Sequence, residues 1–259
     1  MVNTFPFFYS PRARGNMQAQ QIARLNLDRH IRRNPYPGRG LVVGRSSAQE
    51  AWLMIYWIMG RSASSRNRKF VVTGGSLRTE PVDARLLTDP SLIIYEAMLE
   101  LPGIYLVSNG AQTRALWDGL RAGELFESIL AKWEREPDAP NFTPRISAML
   151  DLRNRPAALV LSLLKANPAT PEFTDRFTIR PAAPPPGLGV CITTYQGDGS
   201  PLPSFAGDPL LLPCGDSMAE ALDLYWNALD AENRISLAVK QIPVSGGSGS
   251  IIIRNRFDL

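Results

Sequence analysis

Three short segments hold most of the side chains that could do chemistry in this 259-residue chain. The first is Gly60-Arg61-Ser62-Ala63-Ser64-Ser65-Arg66-Asn67-Arg68, directly after an apolar run. Its guanidiniums are planar, permanently charged, bidentate donors suited to phosphate. Its serine hydroxyls and loop amides can complete a phosphate cradle. Composition alone reads equally well as a solvated polar turn. The second is Val107-Ser108-Asn109-Gly110, with Gln112 and Thr113 beyond it. Backbone amides at a helix start attract anions, although an Asn-Gly turn is the simpler account. The third runs from Glu136 to Arg145 and sets two acids, an amide, a hydroxyl and a guanidinium among three prolines. Proline fixes φ and so pre-orders a loop. Such a loop can hold Glu136 as an acid or base and Asn141 as an oxygen-binding donor. A helix-to-strand connector would also favour proline, but it would not need this polar set. Tyr95 follows Asp89-Pro90 in a strand-like run, where packing is the ordinary role of a tyrosine.

The chain has one histidine and two cysteines. His-dependent triads, most zinc sites and imidazole proton shuttles are therefore poorly served. Cys191 and Cys214 cannot build a thiolate cluster or a disulfide framework. Cys191 reads as a small apolar core residue. There is no Walker pattern and no G-x-G-x-x-G. Catalysis here would run on carboxylates, Arg, Tyr, Ser and amides.

The elements that must position these groups follow from periodicity. Leu41–Gly44, Ala51–Met59, Lys69–Thr73, Leu92–Leu101 and Ile104–Ser108 are strand-like, the last two joined by Pro102-Gly103. Phe126, Ile129, Leu130 and Trp133 then fall on one helical face. Strand signals return at Ile146–Leu152, Ala157–Leu164, Arg176–Arg180 and Gly189–Tyr195. Ser217 with Glu220 reads as a capping box opening a second helix, with Met218, Ala221, Leu222, Tyr225, Trp226 and Leu229 as its buried stripe. Ile235–Ile242 and Ile251–Arg256 close the chain across a Ser/Gly-rich hairpin turn. Helices grouped between strand runs do not alternate as in a doubly wound sheet. The expected class is α+β, with mainly antiparallel sheets covered by helices.

The net charge is +4, and it is unevenly placed. Residues 1–35 hold six arginines against Asp28, or +5, leaving 22 basic and 23 acidic side chains in the remainder, or −1. A globally basic nucleic-acid surface is not expected. The basic leader, ending at the breaker cluster from Asn34 to Gly40, reads as a solvated, partly helical or disordered extension, with Met17 an alternative start. Residues 36–259 read as a single domain. No apolar run approaches the ~20 residues of a membrane span, and no secretory signal is evident. A cytoplasmic protein without membrane contact is expected, and a homo-oligomer is compatible with the sequence.

Taken together, the polar segments resemble the archaeal-type IMP cyclohydrolases and their bacterial relatives. The likeness runs from about Pro35 to the C-terminus. It rests on Pro35-Tyr36-Pro37-Gly38-Arg39-Gly40, on Tyr56-x4-Arg61-Ser62-x3-Arg66-x-Arg68, and on Asp89-Pro90 to Tyr95. It also rests on Val107-Ser108-Asn109-Gly110, Asn141-x-Thr143-Pro144-Arg145-Ile146 and Ile192-Thr193-Thr194-Tyr195. The resemblance implies a four-layer αββα sandwich like the Ntn-hydrolase core, without self-processing. It implies closure of 5-formamidoimidazole-4-carboxamide ribotide to IMP, the last step of purine-ring construction, without cofactor or metal. The partner it implies is thus a small purine ribonucleotide.

The resemblance also implies roles. Arg66, Tyr95, Glu136 and Asn141 are the expected catalytic set. Arg39, Arg61, Ser62, Asn109 and Arg145 are the expected substrate ligands. Tyr95 would donate to a developing oxyanion or relay a proton, Glu136 would take or relay the amide proton, and Asn141 would orient an oxygen. Glu134 and Asp138 lie close enough in sequence to compete for the glutamate role. Two other functions remain open at this level. An Ntn-like amidohydrolase would need an exposed nucleophile such as Cys191, Thr193 or Ser62. A non-catalytic nucleotide- or RNA-binding module would depend on the basic leader, whereas the cyclohydrolase reading expects residues 36–259 to suffice.

Overall fold

The computed structural model describes residues 11–86, 93–153 and 155–258. The strand Ala51–Met59 (β2) explains the longest apolar run in the chain. Every one of its nine residues is buried, because both faces of its sheet are covered. The even-numbered Trp52, Met54, Tyr56 and Ile58 enter the core between two sheets. The odd-numbered Leu53, Ile55, Trp57 and Met59 enter a second core under helices. This is period-two alternation with apolar residues on both sides.

The first sheet has six strands. It runs in the order Leu210–Pro213 (β11), Leu188–Thr193 (β10), Gly40–Arg45 (β1), β2, Arg234–Pro243 (β12) and Ser250–Asn255 (β13). The second sheet has seven strands, in sequence order. They are Lys69–Thr73 (β3), Ser76–Glu80 (β4), Glu96–Leu101 (β5), Ile104–Ser108 (β6), Arg145–Asp151 (β7), Ala158–Ala166 (β8) and Thr174–Ile179 (β9). All neighbouring pairs are antiparallel. The α+β class and the antiparallel sheets agree with the sequence-based expectation.

Helices cover the outer faces. Gln112–Arg121 (α3) and Phe126–Leu130 (α4) set Leu116, Phe126, Ile129 and Leu130 against Ile104, Leu106, Met149 and Val160 of the second sheet. Met218–Ala228 (α5) sets Ala221, Leu222, Tyr225 and Trp226 against the first. The Ser217 hydroxyl caps α5 by accepting from the Glu220 N–H at 3.2 Å. The return bond goes to the Asp216 N–H instead of the cap residue's own, at 2.8 Å.

The leader takes the helical form expected of it, but its last turns are docked rather than solvated. It forms a helix, Pro11–Leu27 (α1), followed by a π-helical turn over Asp28–Arg32. Ala23, Leu27 and Ile31 are buried, and Leu27 and Ile31 join the core under the first sheet. The Asn26 Nδ2 also donates to the Leu211 carbonyl on β11 at 3.0 Å. Hydrophobic positions spaced along its last turns dock it on the sheet's edge. The strand β4 carries too few apolar residues to stand out in the sequence, and β11, a run of three leucines ended by Pro213, is too short to do so. Asp89, Pro90, Ser91 and Leu92, the start of one expected strand and motif, lie outside the described residues.

Antiparallel register determines where the polar segments meet. Gly40 at the start of β1 pairs with Trp57 near the end of β2 and with Thr193 at the end of β10. In the other sheet Ser108 at the end of β6 pairs with Ser147 near the start of β7. The loops that leave or enter these strand ends therefore gather at one end of the sandwich.

Candidate active site

A cavity of about 480 Å³ opens at that end. Arg39, Arg61, Ser62, Arg68, Asn141 and Tyr195 are among its walls. Gly38 makes the approach to β1 possible. Its φ of +72° suits glycine, and a Cβ there would come within 2.5 Å of the Tyr195 ring. Arg39 is then clamped by backbone bonds in both directions. Its N–H donates to Thr194 Oγ1 at 3.0 Å, and its carbonyl accepts from the Thr194 N–H at 2.8 Å. The motifs around Arg39 and Thr194 thus hold each other.

The Arg39 side chain donates from Nη1 to Glu136 Oε1 at 2.6 Å. Glu136 is 2 % exposed and sits behind this guanidinium rather than in the cavity wall. Arg145 Nη1 is 3.8 Å from the same oxygen. Burial pushes the Glu136 carboxyl above the ordinary glutamate range, against the pull of Arg39 and Arg145. Burial works against the Arg39 cation, but Glu136 and the phenols of Tyr95, Tyr56 and Tyr195 outweigh it, and the guanidinium stays charged.

Tyr95 precedes β5 and shares a buried hydrogen bond with Tyr56 of β2, oxygen to oxygen at 2.7 Å. Burial, then the neighbouring Tyr95, raise the Tyr56 phenol far above its ordinary value. Arg68 belongs to the same group. It is 3 % exposed, donates from Nε to the Ser65 carbonyl at 2.9 Å, and donates from Nη2 to the Met59 carbonyl at 3.2 Å. Among the described residues its charged neighbours are Arg39 and phenols, with no carboxylate in ion-pair contact. Sequence reasoning assigned it no role. Its place at the mouth of β3, behind a serine-rich turn, is the signal that could have found it.

The proline-rich loop presents two further groups. Phe142 has φ +44°, a left-handed conformation uncommon for a side chain of this size. The Arg135 guanidinium lies 4.0 Å from the Phe142 ring centroid, and the Phe142 N–H donates to the Asp138 carbonyl. The turn places Asn141 and Thr143, on either side of Phe142, in the cavity wall. Thr143 Oγ1 donates to Asp138, so the Tyr195 hydroxyl donates to Thr143 Oγ1 at 2.5 Å. Asn141 Oδ1 accepts from the Leu202 N–H at 3.0 Å.

The other expected residues take distinct places. Ser62 lines the cavity and its Oγ accepts from the Ser65 N–H at 3.1 Å, capping the one-turn helix Ala63–Arg66 (α2). Arg61 lies over the Tyr36 ring, 3.9 Å from its centroid. Arg66 stands outside the wall, with Nε on the Gly60 carbonyl at 3.1 Å. Asn109 is fully buried and works as a clamp. It donates to the Pro144 carbonyl and accepts from the Ile146 N–H and from Gln112 Nε2. Arg145 joins this clamp through Gln112 Oε1 at 3.1 Å. Of the nine expected residues, then, Arg39, Arg61, Ser62 and Asn141 line the cavity. Glu136, Tyr95 and Arg145 stand behind Arg39, Asn109 anchors the loop bases, and Arg66 turns aside.

Cys191 is fully buried among apolar residues under the first sheet, and burial pushes its thiol well up. It has neither the exposure nor the acidity of a nucleophile. No helix among the described residues is long and apolar enough to cross a membrane. No curated protein matches the chain. Residues 36–246 match the family model described as IMP cyclohydrolase-like protein, and the chain belongs to that family.

Proposed function

We propose that the protein is an IMP cyclohydrolase. It closes 5-formamidoimidazole-4-carboxamide ribotide to IMP with loss of water. The observation that carries this reading is a buried, charged, hydroxyl-rich cluster at a polar cavity: Arg39 and Arg68 in its wall, Arg39 held by Glu136, and the Tyr56–Tyr95 pair behind them. Family membership points the same way.

The reaction needs few parts. The carboxamide nitrogen bonds to the formyl carbon, and the formyl oxygen gains a proton. That proton comes from the attacking nitrogen, leaving a hydroxyl on the carbon. The formamido nitrogen then gives up its own proton and forms the ring C=N bond. The hydroxyl takes that proton as the carbon–oxygen bond breaks, and water leaves. Arg39 donates to the formyl oxygen as negative charge develops there, in a site shielded from bulk water. Tyr95 and Tyr56 form a two-hydroxyl relay beside it. Glu136, with its carboxyl raised by burial, receives the amide proton through this network and fixes the Arg39 fork. Asn141 uses its oxygen on Leu202, which leaves its Nδ2 to orient a substrate oxygen. Arg61, Ser62, Ser65 and Arg68 supply the cations and hydroxyls for the 5′-phosphate. Holding the two substituents in reacting geometry contributes the rest.

The test is to incubate the purified protein with the formamido ribotide, without added metal, and to follow IMP by chromatography. IMP should accumulate with enzyme and time. Substrate left unchanged by folded protein would overturn the reading.

A further inference from the structure

One wall of the cavity is a loop held shut by a carboxylate. After β10 the chain leaves through Tyr195 and returns at Phe205. Its stem is tied by backbone bonds from Gln196 to Pro203 and from Phe205 to Thr194. Its tip places Gly199, Ser200 and Leu202 in the cavity wall. Two contacts fasten this tip to the body. One is the Leu202 N–H on Asn141 Oδ1. The other is Asp198, whose Oδ1 accepts from Arg61 Nη1 at 2.6 Å and from its own neighbour's N–H, at Gly199, also at 2.6 Å.

We propose that Asp198 is a built-in competitor for the substrate phosphate. It holds the Arg61 fork and gives way when the phosphate arrives. Arg61 lines the cavity beside Ser62, Ser65 and Arg68, so the fork that grips Asp198 is also a wall of the phosphate cradle. The ion pair is half-exposed, with side-chain exposures of 34 % and 56 %, and exposed pairs are weak. A phosphate brings more charge and more acceptor oxygens, and it meets Arg68 at the same time. The cation–π contact with Tyr36 holds the Arg61 guanidinium in place while its partner changes. Exchange frees the loop tip at Asp198 and leaves it fastened at Asn141. Entry of the anion and release of the loop tip at Asp198 are thereby linked.

This rests on the cyclohydrolase reading for the identity of the phosphate carrier, but the competition itself can be measured with inorganic phosphate. The sign of the effect is diagnostic. Asp198→Asn and Asp198→Ala should tighten inorganic phosphate, measured by calorimetry, by about two- to five-fold. They should lower KM for the ribotide by a similar factor, with little change in kcat. Arg61→Ala should do the opposite and weaken both. If Asp198 merely positions Arg61, its removal would weaken phosphate and raise KM, and that result would overturn the proposal, as would unchanged phosphate affinity. Tighter phosphate in a protein without cyclisation would uphold the competitor and remove the cyclohydrolase reading.

Discussion

Glu136 shows how one residue's burial decides its behaviour. Removing a partner from a buried ion pair leaves an uncompensated charge, so Glu136→Ala should cost about 3–5 kcal/mol in urea unfolding. Burial raises its folded-state carboxyl above the unfolded value, so between the two values the folded protein holds a proton that the unfolded chain has released. By linkage, this group's contribution to stability is present below the ordinary glutamate range near pH ~4.3. It is lost as pH rises through the raised value. Glu136→Gln should flatten that part of the stability–pH curve. The same group should set the acid limb of the rate profile, with turnover rising as Glu136 ionises. A limb that stays unmoved in Glu136→Gln would exclude Glu136 as its source. The residue types were legible in the sequence, where Glu136 was the candidate taken from three nearby acids. Its position behind Arg39 was not, because only the fold brings residues 39 and 136 together. Arg66 and Arg68 illustrate the same limit. Two residues apart on a tight turn, they point to different surroundings, and spacing alone does not separate them.

At the scale of elements, the strands flanking the site were the most readable part of the chain. Their apolar residues alternate or run continuously, and both patterns mark buried strands. The strand β4, with only Leu77 and Thr79 turned inward, had no comparable signal. The leader was read by its charge, and six arginines concealed three well-spaced apolar positions. Ile31 is fully buried against the first sheet's core. Ile31→Ala should therefore cost about 2–5 kcal/mol. Truncation to residues 36–259 should lower the melting temperature while the cavity walls, all from residue 36 onward, remain present. A truncated protein with unchanged melting temperature would mean that the docked leader contributes no stability.

At the scale of the whole molecule, two antiparallel sheets bring loops from both to one end, and the site is shared between them. Arg39, Arg61 and Tyr195 come from loops of the first sheet, and Asn141 and Thr143 come from loops of the second. Neither sheet alone holds the cavity. The two cysteines take no part in it. Both are buried, and burial pushes both thiols up. Iodoacetamide should leave the native protein unmodified and active, whereas rapid loss of activity on alkylation would favour a cysteine-dependent amidohydrolase. The central claim is that Arg39 in the cavity wall, with Tyr95 and Glu136 behind it, closes the purine ring. Its most direct test is the initial rate of IMP formation from the formamido ribotide, followed by absorbance in wild type and in Tyr95→Phe. Wild type should turn over, and Tyr95→Phe, folded and still binding IMP, should be slower by about 10²-fold or more. A wild type without turnover, or a Tyr95→Phe variant at the wild-type rate, would contradict the account.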